Sequence, residues 1–168
     1  MKKNLSLTLK NFLTIGVILI VALSSLTACS GKKDNSKVNK TPTVAAIEAT
    51  IKENVDIKEM RKADENKLKK LYNIDSKDIA EFVLYTAPSN LKADEIAIIK
   101  VKDPNQLDDI KSKLEERIKA QGKSFKDYLP EEYYIIEKNQ IKTKDNYVIL
   151  AISKDVDKMV NSFEASFK

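Results

Sequence analysis

The chain predicts an α+β domain: a four-stranded antiparallel sheet made of two β-β-α units, with further helices at its N-terminal side. Two observations carry this. Short runs of β-branched and aromatic residues alternate with stretches whose apolar residues recur every three or four positions, the patterns of strands and amphipathic helices. There is also an internal resemblance. Glu95 to Ile118 runs strand, Asp-Pro break, amphipathic helix; Asn146 to Phe167 runs strand, Lys154-Asp155 break, amphipathic helix. Each stretch has another strand candidate ahead of it. Four strands with both unit helices on one face are the economical assembly. Residues 43–168 have the usual size of one domain.

The elements follow in order. Thr41-Pro42 suits a helix start, Thr as N-cap and Pro at the first helical position. Val44, Ile47, Ile51 and Val55 then recur at helical spacing. A short helix over 64–72 places Leu68, Leu71 and Tyr72 on one side. Residues 79–87 read as a strand that ends at the turn Pro88-Ser89-Asn90. Residues 95–102 are a second strand, apolar at nearly every position. Asp103 caps the next helix, Pro104 occupies its first turn, and Gln106 completes a capping box. Leu107, Ile110, Leu114 and Ile118 form its stripe, and Gly122 suits the position just past its end. A short helix begins at Pro130. Residues 140–143, the turn Lys144-Asp145-Asn146 and residues 147–152 read as a hairpin. The last helix starts near Asp155 and carries Val156, Met159, Val160, Phe163 and Phe167. Half-buried strands alternate apolar and polar residues. The second and fourth strands do not, so the other sheet face needs a cover too, most cheaply the N-terminal helices.

Upstream of the domain stands a targeting segment, residues 1–28. Lys2, Lys3 and Lys10 precede an apolar run from Phe12 to Leu23. That run is shorter than the roughly 20 residues of a membrane span and has the form of a cleaved signal. It ends at Leu26-Thr27-Ala28-Cys29, the pattern of a bacterial lipobox. Cys29 is the chain's one cysteine and is the expected lipid attachment site. A diacylglyceryl anchor there holds the protein stably at the membrane, which places it on the extracellular face of the cell membrane. Residues 29–42 form a polar tether, expected to be disordered. With Cys29 acylated no thiol remains, and the domain relies on its core without disulfides.

The net charge of +5 is misplaced for a nucleic-acid binder. Signal and tether hold seven of the 30 basic residues and one of the 25 acidic ones, which leaves 23 against 24 on the domain. A nucleic-acid partner requires the basic excess on the folded part, so none is expected. The tether lysines suit anionic lipid headgroups or simple solvation.

Catalytic signatures are sparse. The chain has no histidine. That removes Ser-His-Asp and Cys-His catalysis and any metal site built on His or Cys. Gly122 is the only glycine in the domain, too few for a phosphate-cradling loop. No catalytic residue, cofactor or metal is therefore assigned. The adjacent pairs Asp94-Glu95, Asp108-Asp109, Glu115-Glu116 and Glu131-Glu132 are poor acid–base dyads, because neighbours diverge on a strand or a helix. They read as solvated faces. Asp145, Asp155 and Asp157 lack the spacing of a calcium loop.

The one local oddity is aromatic. Phe125, Tyr128, Tyr133 and Tyr134 put four of the ten aromatic residues that follow the signal into ten positions. A tyrosine offers an apolar face and a polar tip, which suits contact surfaces. The competing reading is that these rings pack the connection between the two units. Tyr133, Tyr134 and Tyr128 are the candidate binding residues. Tyr133 and Tyr134 are neighbours, so one of them is expected at the surface.

Four segments together, residues 71–75 (LYNID), 95–101 (EIAIIKV), 125–131 (FKDYLPE) and 146–150 (NYVIL), resemble a Gram-positive, Clostridia-type lipoprotein family whose globular part is a domain of unknown function. The resemblance spans roughly residues 45–167 and implies a cell-surface lipoprotein; it brings no catalytic residues. The expectation is a membrane-anchored module that contacts an envelope protein or cell-wall partner. A small-ligand-binding lipoprotein and a carboxylate-based hydrolase are the alternatives. Two convergent carboxylates in a buried cleft mark the hydrolase; an exposed apolar or tyrosine patch marks the interaction module.

Overall fold

The structure, a computed structural model, describes residues 41–168. The signal segment, Cys29 and most of the tether lie outside the described residues. The first helix, α1 (Val44–Asn54), is capped by Thr43, whose side chain accepts a hydrogen bond from the Ala46 amide at 3.1 Å. The expected cap, Thr41, lies ahead of the helix. Pro42 instead accepts a hydrogen bond from the Tyr147 hydroxyl, which ties the entry of the chain to the sheet.

Strand β1 (Arg61–Ala63) leads into α2 (Glu65–Tyr72), which Asp64 caps and which ends on Asn73 at φ +54°, a left-handed position that Asn tolerates. Strands β2 (Ile79–Thr86) and β3 (Glu95–Val101) form the first hairpin. A turn of 3₁₀-helix at Pro104–Gln106, with the Asp103/Gln106 capping box in place, starts α3 (Leu107–Phe125). Helix α4 (Pro130–Glu137), the hairpin β4 (Gln140–Lys144) and β5 (Tyr147–Ile152), and α5 (Val156–Ala165) complete the chain. Asp145 takes φ +52° in the two-residue turn between β4 and β5.

The sheet is antiparallel throughout and has five strands in the order β1-β2-β3-β5-β4. The expected count was four. The addition is β1, which pairs Arg61, Lys62 and Ala63 with Thr86, Tyr85 and Leu84. Three residues with no β-branched side chain carry no strand signal; they are extended because the free edge of β2 offers them partners.

Side chains alternate across the sheet, and two cores result. On one face Ala97, Ile99 and Val101 of β3 and Val148, Leu150 and Ile152 of β5 pack under α2, α3 and α4. On the other, Ile96 and Ile98 face Ile149 and Ala151 beneath α1 and α5. Each fully buried Ile contributes about 1.5–3 kcal/mol. The helices of the two β-β-α units, α3 and α5, therefore lie on opposite faces, where one shared face was expected. With α2, α3 and α4 filling the first face, the apolar stripe of α5 is buried beside α1. Phe163 and Tyr147 each meet Phe167 edge-on at 5.2 Å between ring centroids, an arrangement aromatic rings favour.

Gly122 does not end α3. It lies inside the helix, which continues to Phe125. A methyl group built there would stand 3.5 Å from the Tyr133 ring, an ordinary van der Waals contact, so packing against α4 does not require a glycine here.

Candidate functional site

The first residue of β3 is Glu95. It shares its sheet face with Ala97, Ile99 and Val101 and so points under α3. On α3, Arg117 follows Leu114 by three positions and Gln121 by seven, which continues the buried stripe. These spacings bring an acid and a base together in an apolar interior. Arg117 donates from Nε to Glu95 Oε1 at 2.9 Å and from Nη2 to Oε2 at 2.6 Å. Tyr72, at the end of α2, donates its hydroxyl hydrogen to Oε1 as well. Glu95 is 1% exposed. Burial, reinforced by the Glu95 charge, pushes the Tyr72 hydroxyl well above the usual tyrosine range. Burial alone would lower Arg117, but the Glu95 carboxylate outweighs it and keeps the guanidinium charged.

The β2–β3 connection is fastened next to this pair. Glu132 on α4 accepts the Ala93 amide at 2.9 Å and Lys92 Nζ at 2.7 Å. Gln121 Nε2 donates to the Ala93 carbonyl at 2.9 Å. The Gln121 Oε1 is buried with no hydrogen-bond partner. Burial would raise the Glu132 carboxyl, but the bonds from Lys92 and Ala93 hold it below the usual range.

Two of the four carboxylate pairs thus depart from the expectation of solvated faces: Glu95 and Glu132 are buried. Their neighbours Asp94 and Glu131 point elsewhere, so neither pair converges as a dyad. Sequence reasoning passed over Tyr72, Glu95, Arg117 and Gln121 as a group. The available signal was a polar residue at a strand position whose i+2 and i+4 neighbours are apolar, and two polar residues in register with a buried stripe.

A cleft of about 450 Å³ opens over this floor. Its lining includes Glu95, Arg117 and Gln121, together with Arg61, Lys67 and most of the connection from Ala87 to Asp94. Both Glu95 oxygens are engaged, by Arg117 and Tyr72. Ser124, also on the lining, donates to the Ala120 carbonyl at 3.2 Å within its own helix.

The tyrosines separate. Tyr134 is 56% exposed and lines a different groove of about 680 Å³ with Pro130, Ile135, Lys138 and Lys154. Lys138 Nζ stands 4.2 Å from its ring centroid, a cation–π contact. Tyr133 turns the other way and packs against the core and Gly122. Tyr128, 83% exposed, stands in the turn after α3. The three do not form one surface. Asp155 pairs with Lys158, Asp157 accepts from Gln140, and Asp145 sits in the hairpin turn.

Residues 53–153 match the model of a family described as "Domain of unknown function (DUF4358)". The chain belongs to this family. The DUF4358 match contains the whole sheet and all three helices of the first face, together with the Tyr72–Glu95–Arg117 cluster and the cleft above it. It stops short of α5 and includes only the end of α1. No curated protein and no solved structure matches the chain. No helix among the described residues is long and apolar enough to cross a membrane.

Proposed function

We propose that this chain is a lipid-anchored lipoprotein on the extracellular face of a Gram-positive cell membrane, and that its domain binds an envelope protein or cell-wall partner. The observation that carries the reading is Leu26-Thr27-Ala28-Cys29 directly after a short apolar segment. A diacylated cysteine supplies the two chains that stable anchoring needs. The tether then keeps the domain within about 40 Å of the bilayer. The exposed Tyr134 beside Ile135 and Pro130 supports contact through the α4 groove, because tyrosine is enriched where surfaces bind.

The anchor is tested by Cys29→Ser in the native host. The wild-type chain is expected to enter the detergent phase and to take up labelled lipid. The variant is expected to be shed or to stay unprocessed. A variant still processed after Ala28 and still lipid-labelled would overturn the reading. The contact surface is tested by crosslinking on intact cells with the anchor retained. Tyr134→Ala is expected to lose an adduct that Tyr128→Ala keeps.

A further inference from the structure

We infer that the cleft above Arg117 and Glu95 binds a small molecule through an oxyanion, a carboxylate or a phosphate. The site adjoins the Tyr134 groove, with Lys92 lining both, and does not depend on the anchor.

Arg117 has five N–H donors in a planar fork, and the bonds to Glu95 use one from Nε and one from Nη2. Among the described residues no bond uses Nη1, and the side chain lines the cleft. Glu95 and Tyr72 fix the guanidinium from behind, so its remaining edge is held in one orientation before any ligand arrives. Such preorganisation removes an ordering cost from binding. Arginine in a fixed fork matches the paired oxygens of a carboxylate or phosphate.

Charge points the same way. The lining carries Arg61, Lys67, Lys92 and Arg117 against Asp94 and Glu95. Glu95 is neutralised by Arg117, and Lys92 is shared with Glu132. Arg61 and Lys67 make no ion pair among the described residues; both are exposed and line the cleft. With Asp94 counted against them, these two cations leave one net positive charge on the lining, which favours an anion. The volume of about 450 Å³ is within the range of small-molecule sites.

Gln121 stands beside the pair on the cleft lining. Its Nε2 is committed to the Ala93 carbonyl, which fixes the amide orientation. Its Oε1 is buried with no hydrogen-bond partner. A buried unsatisfied acceptor is rare and costly. This oxygen is closed off from solvent, so a molecule in the cleft does not touch it, and the fitting class stays an oxyanion.

The test uses the full chain in non-ionic detergent, followed by NMR at the Arg117 Nε–Hε resonance. The soluble probes are inorganic phosphate, glycerol phosphate and serine, each against sodium chloride at equal ionic strength. The lipid-borne probe is phosphatidylglycerol vesicles against phosphatidylcholine vesicles. A saturable shift with a soluble probe assigns the site to free oxyanions; a shift with phosphatidylglycerol alone assigns it to headgroups. Either result supports the site. The double variant Arg61→Gln/Lys67→Gln, which leaves the buried pair intact, is expected to weaken binding about tenfold or more. No saturable shift with any probe up to roughly 50 mM, or a shift indifferent to the double variant, would overturn the proposal.

Discussion

The Tyr85 hydroxyl on β2 donates to Glu48 Oε1 on α1 at 2.7 Å. Lys52 and Lys62 reach the same carboxylate at 2.6 and 2.9 Å. Burial would raise the Glu48 carboxyl, but these three donors outweigh it and hold its pKa at about 2, against an ordinary 4.5. A carboxyl depressed in the folded state stabilises it above the unfolded pKa, and that stability is lost as pH falls through the folded value. The melting midpoint should therefore drop between pH 4.5 and about 2, and Glu48→Gln should flatten that slope. Glu81 and Glu132 are also depressed, so some slope remains. Parallel profiles for the two proteins would exclude Glu48 as the source.

Arg117 and Glu95 predict an asymmetry. Arg117→Ala leaves a buried carboxylate uncompensated, and breaking one partner of such a pair costs about 3–5 kcal/mol. Replacing the whole cluster, as Tyr72→Phe/Glu95→Leu/Arg117→Met, should recover most of that loss, because packed apolar groups avoid the desolvation penalty. Urea unfolding measures both. A cluster variant as weak as the single one would mean that the pair organises the fold rather than only satisfying its own charges.

Leu114 is fully buried in mid-stripe, and its neighbour Glu115 is exposed. Leu114→Ala should cost about 2–5 kcal/mol and Glu115→Ala less than about 0.5 kcal/mol. Comparable midpoints for the two variants would mean that α3 buries another face.

The family match ends at Ser153, before α5, and begins at Glu53, near the end of α1. Residues 53–153 expressed alone would leave Ile96, Ile98, Ile149 and Ala151 without their cover. Such a fragment should be aggregation-prone or bind a hydrophobic dye, and residues 41–168 should melt cooperatively. A sharp melt from the shorter fragment would show that the second face tolerates solvent.

The sequence alone determined the features that depend on neighbouring residues. The strands around Phe82, Ile98 and Ile149, the capping box at Asp103 and Gln106, and the stripe on α3 are all local patterns. The exposure of one of the adjacent pair Tyr133 and Tyr134 also followed from their divergence. The tertiary structure decided what distant residues do to one another. Arg61–Ala63 became a strand because β2 had an unpaired edge. Helix α5 crossed to the face opposite α3 because three helices already filled the first. Glu95 and Glu132 went inside because their partners, 22 residues away for Arg117 and 39 for the Ala93 amide, made burial tolerable. A carboxylate is buried only where the fold supplies compensating donors, and no spacing along the chain records where those donors will stand.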